Sequence, residues 1–208
     1  MNIFNLIFPR RCIFCNAPSG ADEICGYCKS RLPWWGKLEN LGGDLPITAP
    51  FKYEGKARRA LLDFKFHGRH SYARTFSALM ETSVRDHYGA DSFDTITFVP
   101  LHRLRRLRRG YNQAELLANA LSRKIGVQVT KTLTKPRRTT ANSKLNSAQR
   151  SENVISAFRL KQGARVSGKR ILLVDDVCTT GATLQEAAKI LMQAGAAQVM
   201  CAAVCRTI

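Results

Sequence analysis

Residues 171–184 read ILLVDDVCTTGATL, and this stretch decides the fold class. Its first four residues are all apolar, which is typical of a strand buried on both faces of a parallel sheet. Two acidic residues follow, then a short loop that contains a glycine, and then apolar positions at helical spacing over residues 182–194. The stretch therefore predicts a strand, a loop and a helix in direct succession, which is the unit from which α/β folds are built.

The rest of the chain continues this alternation of short apolar strands and amphipathic helices. Strands are predicted at residues 47–53, 95–99, 171–174 and 198–205, and helices at 56–66, 72–87, 111–125 and 182–194. Asn112 is a candidate N-cap for the third helix. The pattern predicts a mainly parallel sheet flanked by helices over residues 45–208, and ligands of such sheets bind beyond the carboxyl ends of the strands.

The loop at residues 178–183, called the phosphate loop below, has the composition of an anion site. Gly181 permits backbone torsions that a side chain would forbid, so that several N–H groups can converge on one phosphate at the positive end of the helix. Thr179, Thr180 and Thr183 add hydroxyl donors. The preceding acidic pair lies one step away, where it can hold sugar hydroxyls directly or through Mg²⁺. The alternative is structural: a turn after the strand, followed by an ordinary helix cap.

Two C-x-x-C pairs lie near the start of the chain and form the cysteine cluster: Cys12, Cys15, Cys25 and Cys28. Four thiolates at this spacing predict a tetrahedral Zn²⁺ site, which is structural because no coordination position stays open. Two disulfides or a redox pair are the alternatives. Seven cysteines in total make the count odd, which argues against a disulfide framework. We predict a small zinc module over residues 1–35, ahead of the main domain.

Positive charge is concentrated in the middle of the chain. The formal net charge is +18, and residues 101–150 hold thirteen Lys and Arg but one acid, Glu115. Such a bias indicates a surface that meets phosphates, and a solvated basic face is the alternative. Five of these cations fall within seven residues: Arg103, Arg105, Arg106, Arg108 and Arg109. Helical spacing spreads them around the axis, so one or two can neutralise a diphosphate while the rest meet another polyanion or solvent.

Tyr111 directly follows this arginine run. It is either a stacking platform for a base or an aromatic that packs at a helix start.

Membrane insertion is not expected. No apolar run approaches the roughly 20 residues that a transmembrane helix needs, and the apolar stretch at the start is too short for a signal peptide. We therefore predict a cytoplasmic protein, where thiols stay reduced.

The stretch at 171–184 resembles the signature of type I phosphoribosyltransferases. Further motifs narrow the resemblance to the ComF/GntX family of competence-related proteins: FVPLHR at 98–103, RGYNQA at 109–114, LLA at 116–118, the two C-x-x-C pairs, Arg150 with Asn153, Ala157 with Phe158, and CRT at 205–207. The resemblance covers nearly the whole chain. It implies a type I phosphoribosyltransferase-like domain with an N-terminal zinc module.

The resemblance also implies a ligand, 5-phosphoribosyl-1-pyrophosphate (PRPP), with Mg²⁺. Asp175 and Asp176 would hold the ribose hydroxyls and the magnesium. The 5-phosphate would bind to the phosphate loop: Cys178, Thr179, Thr180, Gly181, Ala182 and Thr183. The pyrophosphate would lie at Leu101, His102 and Arg103.

Residues 134–147 hold several cations and almost no apolar residues, which predicts a mobile loop. Type I transferases have such a loop here, and it suggests a lid over the leaving pyrophosphate, with Arg137 and Arg138 as catalytic residues beside the acidic pair. The family usually reads T-x-x-Q-x-x-L in this loop. This chain has Asn142 at the glutamine position, one methylene shorter, so no role is carried over to it.

Two functions follow from these interpretations. The ComF resemblance implies a protein that binds PRPP and single-stranded DNA in natural transformation, with proteins of the DNA-uptake machinery as partners. The arginines at 105, 106, 108 and 109, together with Tyr111, would contact the nucleic acid. The alternative is an active phosphoribosyltransferase in nucleotide metabolism, whose acceptor no segment identifies.

Overall fold

A computed structural model describes residues 10–19, 23–89, 91–136 and 157–208. The elements in chain order are α1 (Gly26–Lys29), β1 (Trp34–Asn40), β2 (Pro46–Lys52), α2 (Gly55–Phe66), α3 (Tyr72–Tyr88), β3 (Thr95–Phe98), α4 (Arg103–Arg109), α5 (Gln113–Ile125), β4 (Leu133–Thr134), β5 (Arg159–Leu160), β6 (Arg170–Val174), β7 (Val177–Cys178), α6 (Ala182–Gln193), β8 (Gln198–Ala202) and β9 (Cys205–Arg206). The predicted lid residues Arg137 and Arg138, the Asn142 position, and Arg150 and Asn153 lie outside the described residues.

The main sheet has seven strands and is mainly parallel, as predicted. Its order is β3-β6-β8-β2-β9-β7, and β1 pairs with β2 in the single antiparallel pairing described for this sheet. β6 and β7 lie on one line, because Val174 is opposite Ala202 and Val177 is opposite Cys205 in the same register. Asp175 and Asp176 are therefore the two residues that interrupt this line.

Alternate residues of β6 enter two hydrophobic cores, which explains its unbroken apolar sequence. Leu172 and Val174 belong to a cluster with α2, α3 and α5, whereas Ile171 and Leu173 belong to a cluster with α6. A central strand covered on both faces has no solvated side that would require polar residues.

The cysteine segment packs on the main domain through Phe14. The centre of the Phe14 ring lies 5.6 Å from the ring centre of Phe51 on β2 and 6.3 Å from that of Phe76 on α3. Two of the cysteines, Cys12 and Cys28, are buried in the same hydrophobic cluster. The division of the chain into residues 1–35 and 45–208 stays a prediction.

Three details differ from the predicted elements. β1 was not predicted, because it is held by pairing with β2 and has no apolar alternation of its own. The predicted strand at 198–205 is split into β8 and β9. The predicted loop after Val174 is shorter, because Val177 and Cys178 pair with β9 and extend the sheet.

Helices α5 and α6 begin and end close to where the sequence predicts. The side chain of Asn112 accepts a hydrogen bond from the Ala114 N–H at 3.1 Å, which confirms it as the N-cap of α5. Across the described residues, no helix combines the length and the apolar character that crossing a membrane requires.

Candidate functional site

A cleft of ≈ 820 Å³ opens beyond the carboxyl ends of β3 and β6. Its wall includes many of the predicted site residues: Leu101, Arg105, Arg108, Arg109, Tyr111, Asp175, Asp176, Cys178, Thr179, Gly181 and Thr183. His102, Arg103, Arg106, Thr180 and Ala182 lie beside the wall rather than in it. Three further cations contribute to the wall, Arg58, Lys65 and Lys135. Among described residues the cleft is thus lined by six Lys and Arg and two Asp. Its electrostatic potential therefore favours an anionic ligand, and the two carboxylates can bind hydroxyl groups or a cation that this ligand carries.

The two carboxylates lie at the bottom of this cleft. The Lys65 Nζ is 2.9 Å from Asp176 Oδ1, and both side chains are almost buried. The Asp176 N–H donates to Asp175 Oδ1 at 2.8 Å. Burial, and then the charge of Asp176, raise the pKa of Asp175 to about 7. A hydroxyl group or a divalent cation near this carboxyl would compensate for the lost hydration.

Lys65 was not predicted as a site residue. It lies in the last turn of α2 between Phe64 and Phe66, and this local sequence carries no motif. Its place next to Asp176 follows from the packing of α2 on the sheet, which a single sequence does not reveal.

The phosphate loop joins β7 to α6. The Cys178 side chain is buried in the core, so this residue offers only its backbone to a ligand. Gly181 has φ +84°, a torsion that favours glycine, and a Cβ there would also crowd Leu41, at 3.0 Å from its Cδ2. Gly181 has no side chain to cap α6, and both Gly181 and Thr183 line the cleft, so the positive end of this 12-residue helix opens onto it.

The Arg206 side chain binds the backbone of this loop. Its guanidinium pairs with both carboxylate oxygens of Glu39, at 2.8 and 2.9 Å, and its Nη1 donates to the carbonyl oxygens of Thr179 and Cys178. The hydrogen bond from Arg206 holds the pKa of Glu39 below its usual range. The sequence offered one signal for this residue, the CRT motif at 205–207.

The arginine run forms the short helix α4, and its side chains diverge. Arg105, Arg108 and Arg109 line the cleft, whereas Arg103 and Arg106 are exposed outside its wall. Three of the five arginines thus point into the cleft and two point away from it, as expected if not all five can contact one small ligand.

Two predicted site residues beside α4 have structural contacts. His102 Nδ1 accepts from the Leu104 N–H at 3.3 Å and caps the helix. Tyr111 is buried, and its hydroxyl donates to the Phe64 carbonyl. The centre of its ring lies 3.9 Å from the ring centre of His70. These contacts are those of an aromatic residue that packs at a helix start.

Lys135 enters the cleft from the end of β4. Its Nζ lies 4.8 Å from the centre of the Phe158 ring. Burial, with a smaller contribution from the charge of Arg105, lowers the pKa of Lys135 to about 8. A negatively charged ligand would raise that pKa again, so Lys135 is a cation that anion binding stabilises.

The cysteine cluster has the geometry that Zn²⁺ requires. The four sulfur atoms all lie within 4.8 Å of one another, and Cys15 Sγ is 3.5 Å from Cys25 Sγ. A tetrahedron with Zn–S bonds of the usual length has edges of about 3.8 Å. The four cysteines are free thiols, which does not support the two-disulfide alternative.

Two known protein families match separate parts of the chain. Residues 109–208 match the phosphoribosyl transferase domain family, and residues 3–38 match the double zinc ribbon domain family. Together with the sulfur geometry, the second match identifies the cysteine cluster as a structural zinc site.

Several relatives match most of the chain. The chain is 33% identical to DNA utilization protein YhgH of Escherichia coli (strain K12), over 95% of this chain and 84% of that protein. It is 31% identical to competence protein F of Haemophilus influenzae, with coverage of 85% and 76%. It is 27% identical to competence protein ComFC of Bacillus subtilis, with coverage of 89% and 73%. The chain belongs to the ComF/GntX family of competence-related proteins.

Proposed function

We propose that the cleft binds PRPP with Mg²⁺ and that the protein binds single-stranded DNA in DNA uptake. The observation that carries the proposal is the position of Asp175 and Asp176. They lie between β6 and β7, and Val177 alone separates them from the phosphate loop. The other charged residues in the cleft wall are cations. A ligand that fits this arrangement has phosphates at its ends and hydroxyl groups between them.

In this proposal the 5-phosphate lies at the start of α6, on the residues from Cys178 to Thr183. The ribose hydroxyls are held by Asp175 and Asp176. Magnesium typically binds one or two carboxylates together with phosphate oxygens, so the acidic pair suits it, and when bound it would neutralise the diphosphate.

The pyrophosphate lies towards the backbone of Leu101, His102 and Arg103 in the same proposal, because the Arg103 side chain lies outside the cleft wall. Arg105, Arg108 and Lys135 supply positive charge from the wall. Lys65 pairs with Asp176 in the ligand-free protein, and the ligand would share that carboxylate with it.

Thermal unfolding with PRPP and Mg²⁺ tests the site. A ligand at a hundred times its dissociation constant stabilises the folded state by about 2.7 kcal/mol, so the melting temperature rises. Changing both Asp175 and Asp176 to Ala removes this rise, whereas Asp94→Asn, at the remote end of β3, retains it. An unchanged melting temperature of the wild-type protein at millimolar PRPP refutes the proposed site.

The DNA part of the proposal rests on the charge outside the cleft. Arg103 and Arg106 are exposed beside the cleft wall, within a segment of net charge +12. The names of the relatives, DNA utilization protein and competence protein, connect proteins of this kind with DNA. A cytoplasmic location, where the zinc thiolates stay reduced, and partners in the uptake machinery belong to the same proposal.

Salt dependence of single-strand binding tests the DNA part. The slope of log affinity against log salt is about −0.7 for each phosphate that a cation neutralises. We expect Arg103→Ser with Arg106→Ser to weaken binding and to make this slope shallower by about 1.4. The control is Arg123→Ser with Lys131→Ser, which removes the same charge from two exposed positions beyond α4. Equal losses in both double variants would mean that net charge, and not α4, binds the strand.

The second candidate function is phosphoribosyl transfer to an acceptor. Lys135 favours it, because this cation faces the cleft directly before the predicted lid that holds Arg137 and Arg138. The three cations would stabilise the charge of departing pyrophosphate. Pyrophosphate release from PRPP in the presence of candidate bases and amines distinguishes catalysis from binding alone.

A further inference from the structure

We propose that Glu39 acts through Arg206 to position the phosphate loop, and that it does so from the strand that follows the cysteine cluster. This inference rests on the proposed function, because it concerns how tightly the loop holds a sugar phosphate. Neither residue lines the cleft. Both are therefore positioning residues rather than ligand contacts.

Arg206 connects Glu39 with the loop through one rigid group. Its Nε and Nη2 donate to the two oxygens of Glu39 at 2.9 and 2.8 Å, while Nη1 donates to the Thr179 carbonyl. The Arg206 side chain is 11% exposed. Because a guanidinium is planar and its donors form a fixed fork, the pairing with Glu39 sets the direction in which Nη1 points.

These contacts turn two successive carbonyl groups of the loop to the same side. The Cys178 carbonyl accepts from the Thr207 N–H at 2.9 Å and lies 3.5 Å from Arg206 Nη1, and the Thr179 carbonyl accepts from the same Nη1. In a trans peptide the C=O and the following N–H point in opposite directions. The N–H groups of Thr179 and Thr180 are therefore both turned away from Arg206, and successive N–H groups on one side form a nest that binds anions.

A second contact from the same segment fixes the other end of the loop. The Leu41 side chain packs against Gly181, where a Cβ would approach it to 3.0 Å. The Leu41 carbonyl accepts from the side chain of Gln185 in the first turn of α6. Residues 39–41 thus hold both the loop and the start of the helix.

This support comes from the segment that directly follows the cysteine cluster and the start of β1. β1 begins six residues after Cys28, and the double zinc ribbon match ends at residue 38, directly before Glu39. The geometry therefore assigns to β1 a role beyond extending the sheet, because its position determines where Glu39 and Leu41 meet the loop.

The test uses full-length, zinc-loaded protein and PRPP with Mg²⁺ as the probe. Glu39→Gln keeps the shape of the side chain but removes the charge, and we expect the dissociation constant to rise by about fivefold. Arg206→Lys keeps the charge but cannot hold Glu39 and the Thr179 carbonyl together, so we expect a larger rise. The double variant should bind no more weakly than Arg206→Lys alone, because both changes break one connection. Glu81→Gln, which removes the ion pairs of Glu81 with Arg85 and Lys124 away from the loop, is the matched control and should bind like wild type.

Hydrogen exchange of the ligand-free protein measures positioning without any ligand. In Glu39→Gln the amides of residues 179–183 should exchange faster, while those of β6 and the melting temperature change little, since Glu39 is 39% exposed. Unchanged exchange in the loop overturns the inference, as does wild-type affinity in both single variants. If wild-type protein fails to bind PRPP, the proposed function fails, and the exchange measurement still decides whether Glu39 positions the loop.

Discussion

At the carboxyl end of β6, Asp175 is half-buried beside a second carboxylate, and these two circumstances raise its pKa to about 7. An ordinary Asp in an unfolded chain has a pKa of about 3.9. Between these two values the folded protein binds more protons at this site than the unfolded protein does. The contribution of Asp175 to the free energy of unfolding is therefore present at low pH and is lost as the pH rises towards and through 7.

We predict that Asp175→Asn stabilises the ligand-free protein at neutral and alkaline pH. The amide cannot ionise, so the variant should exceed wild type by about 2 kcal/mol at pH 8, and the difference should shrink towards pH 5. Denaturant unfolding across this range measures it. The same variant should lose PRPP binding, and wild-type affinity should increase from pH 6 to pH 8 as the carboxyl ionises.

Asp94 provides a control, because its contribution to stability changes with pH in the opposite direction. Its hydrogen bonds with the Arg170 side chain and backbone lower its pKa to about 2, so its stabilising contribution is present at neutral pH and is lost on acidification. Asp94→Asn should therefore lower stability at pH 7 and leave PRPP binding intact. A difference between Asp175→Asn and wild type that does not vary with pH would contradict the account of Asp175.

Among the helices and strands, the sequence best predicts those whose own apolar residues follow a helical or a buried-strand pattern. α3, α5 and α6 are recognisable because their apolar residues recur at helical spacing, and β6 because both of its faces are buried. β1 and β7 were missed because pairing with β2 and β9 holds them in place, and pairing partners are distant in sequence.

The same distinction applies to the candidate site. Asp175, Asp176 and the phosphate loop are contiguous, so their chemistry can be read from one stretch. Lys65 of α2 contacts Asp176, Arg206 of β9 contacts the loop, and Glu39 of β1 contacts Arg206. Only the packing of these elements brings the three side chains to these positions, and local sequence does not encode that packing in a recognisable form.

The zinc module provides a prediction at the element scale. Phe14, between Cys12 and Cys15, packs on Phe51 and Phe76 in the core of the main domain. Removing zinc with a chelator should therefore lower the melting temperature of the whole chain by about 10 °C in one cooperative transition. Calorimetry measures this, and added zinc should restore the original transition. A separate low-temperature transition that leaves the main one unchanged would show that the module unfolds independently.

Across the whole molecule, the arginines of α4 contribute positive charge to two adjacent surfaces, one inside the cleft and one outside it. Arg105, Arg108 and Lys135 face the cleft, whereas Arg103 and Arg106 lie outside it on the same short helix. Binding of a small phosphate and binding of a nucleic acid strand would thus occur on adjacent surfaces of α4. Single-strand affinity measured with and without PRPP reports whether the two events influence each other.

Titration calorimetry of the wild-type protein with PRPP, in the presence of Mg²⁺ and then of a chelator selective for Mg²⁺ over zinc, tests whether the acidic pair binds the ligand together with the metal. We expect one site per chain, binding that weakens when Mg²⁺ is removed, and loss of the heat signal in the protein with Asp175→Asn and Asp176→Asn. Binding of equal strength in that double variant, or no binding by wild type at millimolar PRPP, would show that the acidic pair does not form a PRPP site.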